Sequence, residues 1–271
     1  MSVSVAVNFS PEAAGLLAAG AVEVDVLKVP DWDDIVAEAQ ALAPVYVHFP
    51  HQIGAAREKP EIDRSRRLMS ATSTASFNVH VAPSSERFAG FAVGDVSDVA
   101  VRAVVEALLA DLEPALRAFG AEAVVVENLI YRGEGSHLLR AGVEPAALHE
   151  LVERSGCGFL LDVSHARISA ASLGIDAWDY LDALPVHALR ELHVSGVGVL
   201  DGSLRDHLPL REEDWEFVDG VVGRIMAGAW PAPATVALEY GGVGPVFAWR
   251  SDELVIREQL PRLREKFSKL A

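Results

Sequence analysis

The chain has 271 residues, with 23 Lys and Arg against 39 Asp and Glu, a formal charge of −16, and 51% hydrophobic positions. That apolar share excludes a disordered chain, and the acidic surplus opposes a nucleic-acid binder, which needs cations to meet phosphates. No apolar run long enough for a membrane span is visible and no basic stretch opens a signal peptide; the lone Cys157 can form no internal disulfide, so the expectation is a cytoplasmic protein.

Short β-branched runs alternate with longer amphipathic segments. The first strand is expected at Val3–Asn8, followed by a helix at Pro11–Ala19; the second pair is Val22–Val29 and Trp32–Leu42, and the third Val45–Phe49 and Glu61–Ala71. A fourth strand at Ser76–Ala82 precedes a long helix at Ser97–Phe119, where Val101, Val104, Val105, Leu108, Leu109, Leu112 and Leu116 repeat at helical spacing. Strands at Ala123–Glu127 and Gly158–Asp162 are each followed by a helix, at Pro145–Arg154 and Asp176–Leu184. The last two pairs are Leu189–Val194 with Glu212–Ala227, and Thr235–Tyr240 with Asp252–Lys269. Pro145 suits a first helical turn and Gly156 a helix stop.

Near-continuous apolar strands such as Val124–Val126 and Phe159–Leu161 require helices on their outer face. Eight βα units in about 250 residues are the arithmetic of an α/β fold of the (β/α)8 TIM-barrel type, forming one domain over residues 1–271. An open doubly wound sheet would want a glycine-rich phosphate turn after its first strand, and Asn8-Phe9-Ser10-Pro11 is not one.

A barrel of this kind builds its site at the C-terminal strand ends. There the sequence places His48, His80, Glu127, Asp162 with His165 close behind, His193 and Glu239. Carboxylates and imidazoles crowded at an apolar mouth lose hydration and repel one another unless cations pair them. Mixed His and carboxylate donors suit zinc, iron or manganese. Glu127, Asp162, His193 and Glu239 together therefore point to metal, while His51, His137, His149 and His187 fall in loops or on helices and read as structural. Cys157 reads as a small core residue.

Glu127-Asn128, the run Ser155 to Val163, Ser169-Ala170, Gly174-Ile175-Asp176, Tyr180 to Pro185 and Glu191-Leu192-His193-Val194-Ser195-Gly196 resemble the multinuclear non-heme iron-dependent oxidative enzymes. That family lies in the xylose-isomerase-like barrel superfamily, with endonuclease IV and the sugar isomerases and epimerases. The close resemblance covers roughly residues 122–200; earlier residues match in barrel pattern and in the placing of His48 and His80. It implies that Glu127 bridges two divalent metals, one completed by His48 and His80, the other by Asp162, His193 and Glu239. A third metal would use His165 and an Asp-x-His pair after the seventh strand. Here that loop reads Leu204-Arg205-Asp206-His207, so His207 is present, Arg205 stands where the Asp is expected, and Asp206 substitutes only if the loop shifts register. Two or three metals per chain are implied, iron favoured and zinc or manganese possible, with Glu127, Glu239 and His165 as the catalytic residues.

The resemblance further implies oxidation of a small molecule or a cysteine-containing peptide, the peptide presented by a partner protein, with neither nucleic acid nor membrane involved. The alternatives are a single-metal sugar or keto-acid isomerase or epimerase, an endonuclease IV-like phosphodiesterase, which the charge of −16 opposes, and a non-catalytic metal-binding scaffold. Peripheral segments add two readings each: the loop from Leu129 to Val143 as a lid or an ordinary surface loop, and Arg57, Lys59, Arg64, Arg66 and Arg67 as an acidic-substrate receptor or a solvated helix face. Gly241, Gly242 and Gly244 stand where many barrels hold phosphate, a weak signal on glycines alone.

Overall fold

The structure, a computed structural model, describes residues 3–55, 61–245 and 247–270; Arg57 and Lys59 lie outside the described residues. Its strands are β1 (Ser4–Asn8), β2 (Val26–Val29), β3 (Val45–Val47), β4 (Gln52–Ile53), β5 (Phe77–Val81), β6 (Val124–Glu127), β7 (Gly158–Asp162), β8 (Leu189–Val194), β9 (Gly196–Leu200), β10 (Ser203–Leu208) and β11 (Thr235–Leu238). Its helices are α1 (Pro11–Ala18), α2 (Asp33–Gln40), α3 (Ile62–Ala71), α4 (Asp98–Phe119), α5 (Pro145–Ser155), α6 (Val163–Leu173), α7 (Ala177–Ala183), α8 (Glu212–Met226) and α9 (Glu253–Ser268). Among the described residues no helix is long and apolar enough to cross a membrane.

The chain divides into two compact units. The first holds residues up to His48, Leu68–Ala75 and the chain from Arg190; the second holds Phe49–Arg67 and Ser76–Leu189. In the first, β3, β2, β1, β11 and β8 lie side by side, every pair parallel. Ala6, Val26, Tyr46 and Ala237 meet there in one buried cluster. Side chains alternate along a strand, so the residues two further on, Asn8, Lys28, His48 and Glu239, follow on the same face toward the C-terminal strand ends. His193 is the register partner of Ala237. The sheet thus carries its polar groups on the same face as the apolar cluster, His193 level with Ala237 and Lys28 level with Tyr46.

In the second unit β7, β6, β5 and β4 are likewise parallel. His80 pairs with Glu127, and Glu127 with Leu160, two residues before Asp162, so these side chains also share a face. Val124, Val125, Val126, Phe159, Leu160 and Leu161 are all buried, as strands covered by helices demand. The apolar face of α4, Val104, Val105, Leu108 and Leu112, is buried too; Leu109 and Val101 on its flank are less so.

Three local departures from the sequence expectation have physical causes. The third strand stops at Val47 and a separate short strand, Gln52–Ile53, follows, because Pro50 has no N–H to give a ladder. The Asn78 side chain takes over, its Oδ1 accepting from Phe49 N at 2.7 Å and its Nδ2 donating to Phe49 O at 3.0 Å. Helix α6 starts directly after β7, where no helix was expected, because Asp162 caps it: Oδ1 accepts from His165 N at 2.7 Å. An unexpected antiparallel hairpin, β9–β10, turns at Asp201-Gly202, whose φ values of 51° and 74° are those of the tight turn that suits a two-residue hairpin.

Candidate metal centre

In the second unit three strand ends and one helix start carry the donors. His80 Nδ1 lies 3.0 Å from His51 O, and a carbonyl can only accept, so Nδ1 bears a proton and Nε2 is the nitrogen left to face other groups. That Nε2 is 3.2 Å from Glu127 Oε2. His165 repeats the arrangement: Nδ1 donates to Asn128 O at 2.8 Å, and Nε2 stands 3.6 Å from Asp162 Oδ2. Glu127 Oε1 lies 3.6 Å from His165 Nδ1. Glu127 and Asp162 are almost fully buried. A ring nitrogen aimed at a buried carboxylate oxygen needs positive charge on or between the two groups, and a cation held by both supplies it.

Asn128 sets this geometry. Its Nδ2 donates to Asp162 O at 2.9 Å and its Oδ1 accepts from Asp162 N at 3.0 Å, tying the ends of β6 and β7 together while its own carbonyl orients His165. Tyr131 N donates to Ser169 Oγ, and Tyr131, Leu138, Leu139 and Ala141 are buried, so the segment after β6 is packed against its unit along much of its length. Burial raises the Tyr131 phenol above its ordinary range.

In the first unit His193 is fully buried. Its Nε2 donates to Glu191 Oε1 at 2.7 Å, and its Nδ1 lies 3.2 Å from Glu239 Oε1 and 3.4 Å from Lys28 Nζ. Nδ1 thus faces both an acceptor, Glu239 Oε1, and a donor, the Lys28 ammonium. Lys28 is ion-paired with Glu239. The His48 ring is 5.1 Å from that of His193, and donor atoms of His48, Glu191 and His193 all fall within 4.8 Å of one another.

The hairpin supplies the remaining donors of this unit. Between Arg205 and Leu208 the β9–β10 register shifts by a bulge, and His207 takes φ 53°. His207 Nδ1 donates to Glu239 O at 3.0 Å, and its Nε2 is 3.4 Å from Asp206 Oδ2 and 3.9 Å from Glu239 Oε2. Arg250 donates to Asp206 O at 2.9 Å, and its guanidinium is held below the ordinary arginine value, chiefly by burial. Arg205, which stands where an Asp was expected, offers no ligand atom; the Asp206 carboxylate beside it lies against His207.

The first unit thus gathers His48, His193, Glu239 and His207 with Asp206, and the second His80, Glu127, Asp162 and His165. Lys28, Glu191 and Asn128 were not singled out by the sequence. Strand period was the available signal: Lys28 stands two residues after Val26 on the inner face, and Glu191 two before His193. Among the residues read as structural, His149 and His187 have donor atoms within 4.8 Å of one another and of one on Glu153. His149 Nε2 bonds Ala183 O at 3.1 Å and its ring stacks on His187, while His51 Nε2 meets Ser65 Oγ at 3.2 Å. Cys157 is buried and accepts from Ser155 Oγ. Gly241, Gly242 and Gly244 have φ of 75°, 146° and 81°, and a Cβ on each would meet Ser251, Phe247 or Trp32 within 2.9 Å, which accounts for glycine without a phosphate.

The chain is similar over 99% of its length to solved barrels at low identity. A D-psicose 3-epimerase with D-fructose matches at TM-score 0.55 and 14% identity, and endonuclease IV from Thermus thermophilus at TM-score 0.54 and 15%, covering 99% and 100% of those chains. The fold is that of a TIM barrel. Among curated relatives, a "UPF0276 protein" of Caulobacter sp. (strain K31) is 39% identical over 83 residues, 29% of this chain and 30% of the relative. One from Bordetella pertussis is 43% identical over 75 residues, 27% of this chain and 25% of the relative. The chain thus aligns with less than a third of the length of these relatives. The model of the family described as "RiPP precursor modification enzyme MbnB/TglH/ChrH" matches residues 36–229, well over half of the sequence, and the chain therefore belongs to that family.

Proposed function

We propose that this protein is a metal-dependent oxidative enzyme that holds non-heme iron and modifies a cysteine-containing precursor peptide. One observation carries the metal part. Three histidines, His80, His165 and His207, each give Nδ1–H to a backbone carbonyl and turn Nε2 toward a carboxylate. Ligating histidines are held in this way, with the second nitrogen fixed so that ring and tautomer cannot drift. The donor set, imidazole with carboxylate and no thiolate, suits iron, zinc or manganese. The ligands proposed are His48, His193, Glu239, His207 and Asp206 in the first unit and His80, Glu127, Asp162 and His165 in the second. Asp206 makes three metals the fuller reading and two the minimum.

Iron held there would supply redox chemistry toward dioxygen and a Lewis acid for a substrate sulfur or carbonyl oxygen. The protein's own groups do the rest. Glu127 and Asp162 bring carboxylates into a buried setting, Asn128 fixes the spacing of their strands, and proton transfer is assigned to Glu239. Family membership supports a peptide substrate, and a partner protein that presents it completes the proposal. The charge of −16 argues against nucleic acid in that role.

The test is metal analysis and iron spectroscopy on protein expressed with iron and purified without air, followed by oxygen uptake with a cysteine-containing precursor peptide. Two or three irons per chain and peptide-dependent oxygen consumption are the expected results. One metal per chain with turnover of a sugar or keto acid under argon would overturn the oxidative reading in favour of an isomerase.

A further inference from the structure

The sharpest anomaly in the first unit is a lysine. Lys28 lies on β2 and is only 6% exposed, although lysine is a residue type almost never buried without a partner. Its Nζ reaches two atoms at once: it is ion-paired with Glu239 Oε1 and lies 3.4 Å from His193 Nδ1, and those two atoms are 3.2 Å from each other. The proposed function gives this same imidazole nitrogen and carboxylate oxygen to a metal.

We infer that Lys28 is a built-in cation that occupies the His193–Glu239 pair when metal is absent, must be displaced when metal enters, and so sets the metal affinity of the first unit. The inference rests on the metal reading above and deepens it. Its physical basis is charge. Glu191 and Glu239 are both buried, at 7% and 4% exposure, with the His193 ring between them, its Nε2 2.7 Å from Glu191 Oε1 and its Nδ1 3.2 Å from Glu239 Oε1 and 3.4 Å from Lys28 Nζ. Two carboxylates in such a place without a cation carry a large desolvation and repulsion cost. The ammonium removes most of that cost in the apo protein, and a divalent ion must compete with it for the same two atoms.

Lys28 is also placed by the strand and not by chance rotation. Its backbone is held on both sides, with register partners Asn8 and Tyr46 and with Phe9 N donating to Lys28 O at 2.8 Å. Val26, two residues earlier, is in the buried cluster, so the strand's alternation sends the Lys28 stem up the same face. A lysine stem is long and apolar, and can swing its ammonium away from Glu239 without moving the strand. Lys28 is thus a positioning residue for Glu239 rather than a catalytic one.

The experiment compares wild type with Lys28→Met, Lys28→Gln and Lys28→Arg. The readouts are zinc or manganese affinity by chelator competition, and the melting temperature with and without metal. The expected result is that Lys28→Met melts lower without metal, binds one equivalent at least tenfold more tightly, and gains more in melting temperature on metal addition than wild type. Lys28→Gln, which keeps a donor without the charge, covers the case in which the Met variant does not fold, and is expected to bind more tightly as well. Lys28→Arg should stay near wild type. In a Glu239→Gln background the gain from removing the lysine charge should vanish. Affinity that is unchanged or weaker in the Met and Gln variants, in protein whose wild type binds metal, would overturn the inference alone. Failure of wild type itself to bind metal would overturn the metal reading.

Discussion

The donors that matter are defined less by residue type than by what their second atom touches. His80, His165 and His207 each face a backbone carbonyl with Nδ1, whereas His193 faces Glu191 with Nε2. Glu191 is therefore expected to orient His193 through an accepted hydrogen bond. Glu191→Ala should weaken metal binding in chelator competition by about 10- to 100-fold, while Glu191→Gln, which keeps an acceptor, should lose far less. Equal losses would mean that the Glu191 charge itself is needed. Asp206 carries a second prediction. Asp206→Ala should remove one metal per chain by elemental analysis and Arg205→Ala none, because the bulge turns Asp206 and not Arg205 toward His207.

The elements that hold these residues depend on a few close contacts. Gly196 opens β9 with no room for a side chain: a Cβ would lie 2.0 Å from Pro209 O and 2.7 Å from Leu208 O. Gly196→Ala must push the hairpin strands apart, so a cost of about 1–3 kcal/mol in denaturant melts is expected, with loss of the metal that Asp206 and His207 hold. In the second unit Tyr180 on α7 donates to Val143 O at 2.6 Å from a buried position. Tyr180→Phe leaves that carbonyl without its donor and should cost about 1–3 kcal/mol. Burial raises the Tyr180 phenol well above its ordinary value. The unfolded chain then loses this proton first as pH rises, so stability should decline once pH passes about 10, and Tyr180→Phe should flatten that decline.

For the molecule as a whole, net charge and metal are linked. The chain carries −16, and that excess includes the buried carboxylates of the proposed ligand set, so divalent ions should stabilise the fold strongly. Free metal at a hundred times its dissociation constant should add about 2.7 kcal/mol for each independent site. Treatment with a chelator should lower the melting temperature, and metal should restore it; a melting temperature indifferent to both would refute metal binding at these positions.

Much of this was legible in the sequence. Alternation of apolar strands with amphipathic helices is a local property, so the barrel class and every strand end bearing His or carboxylate could be read from period alone, from His48 to Glu239. Helix α6 and the Asp201-Gly202 hairpin also had local signals, an Asp cap and a turn dipeptide, but each is short and was obscured by the longer pattern around it. The remainder was decided by contacts between distant segments. Lys28 meets Glu239 across 211 residues, and His165 takes its carbonyl from Asn128 across 37. Which carbonyl holds a histidine nitrogen, whether a lysine already occupies a carboxylate, and whether His207 reaches Glu239 are settled only by packing, because each is a matter of ångströms between groups that the order of residues does not bring together.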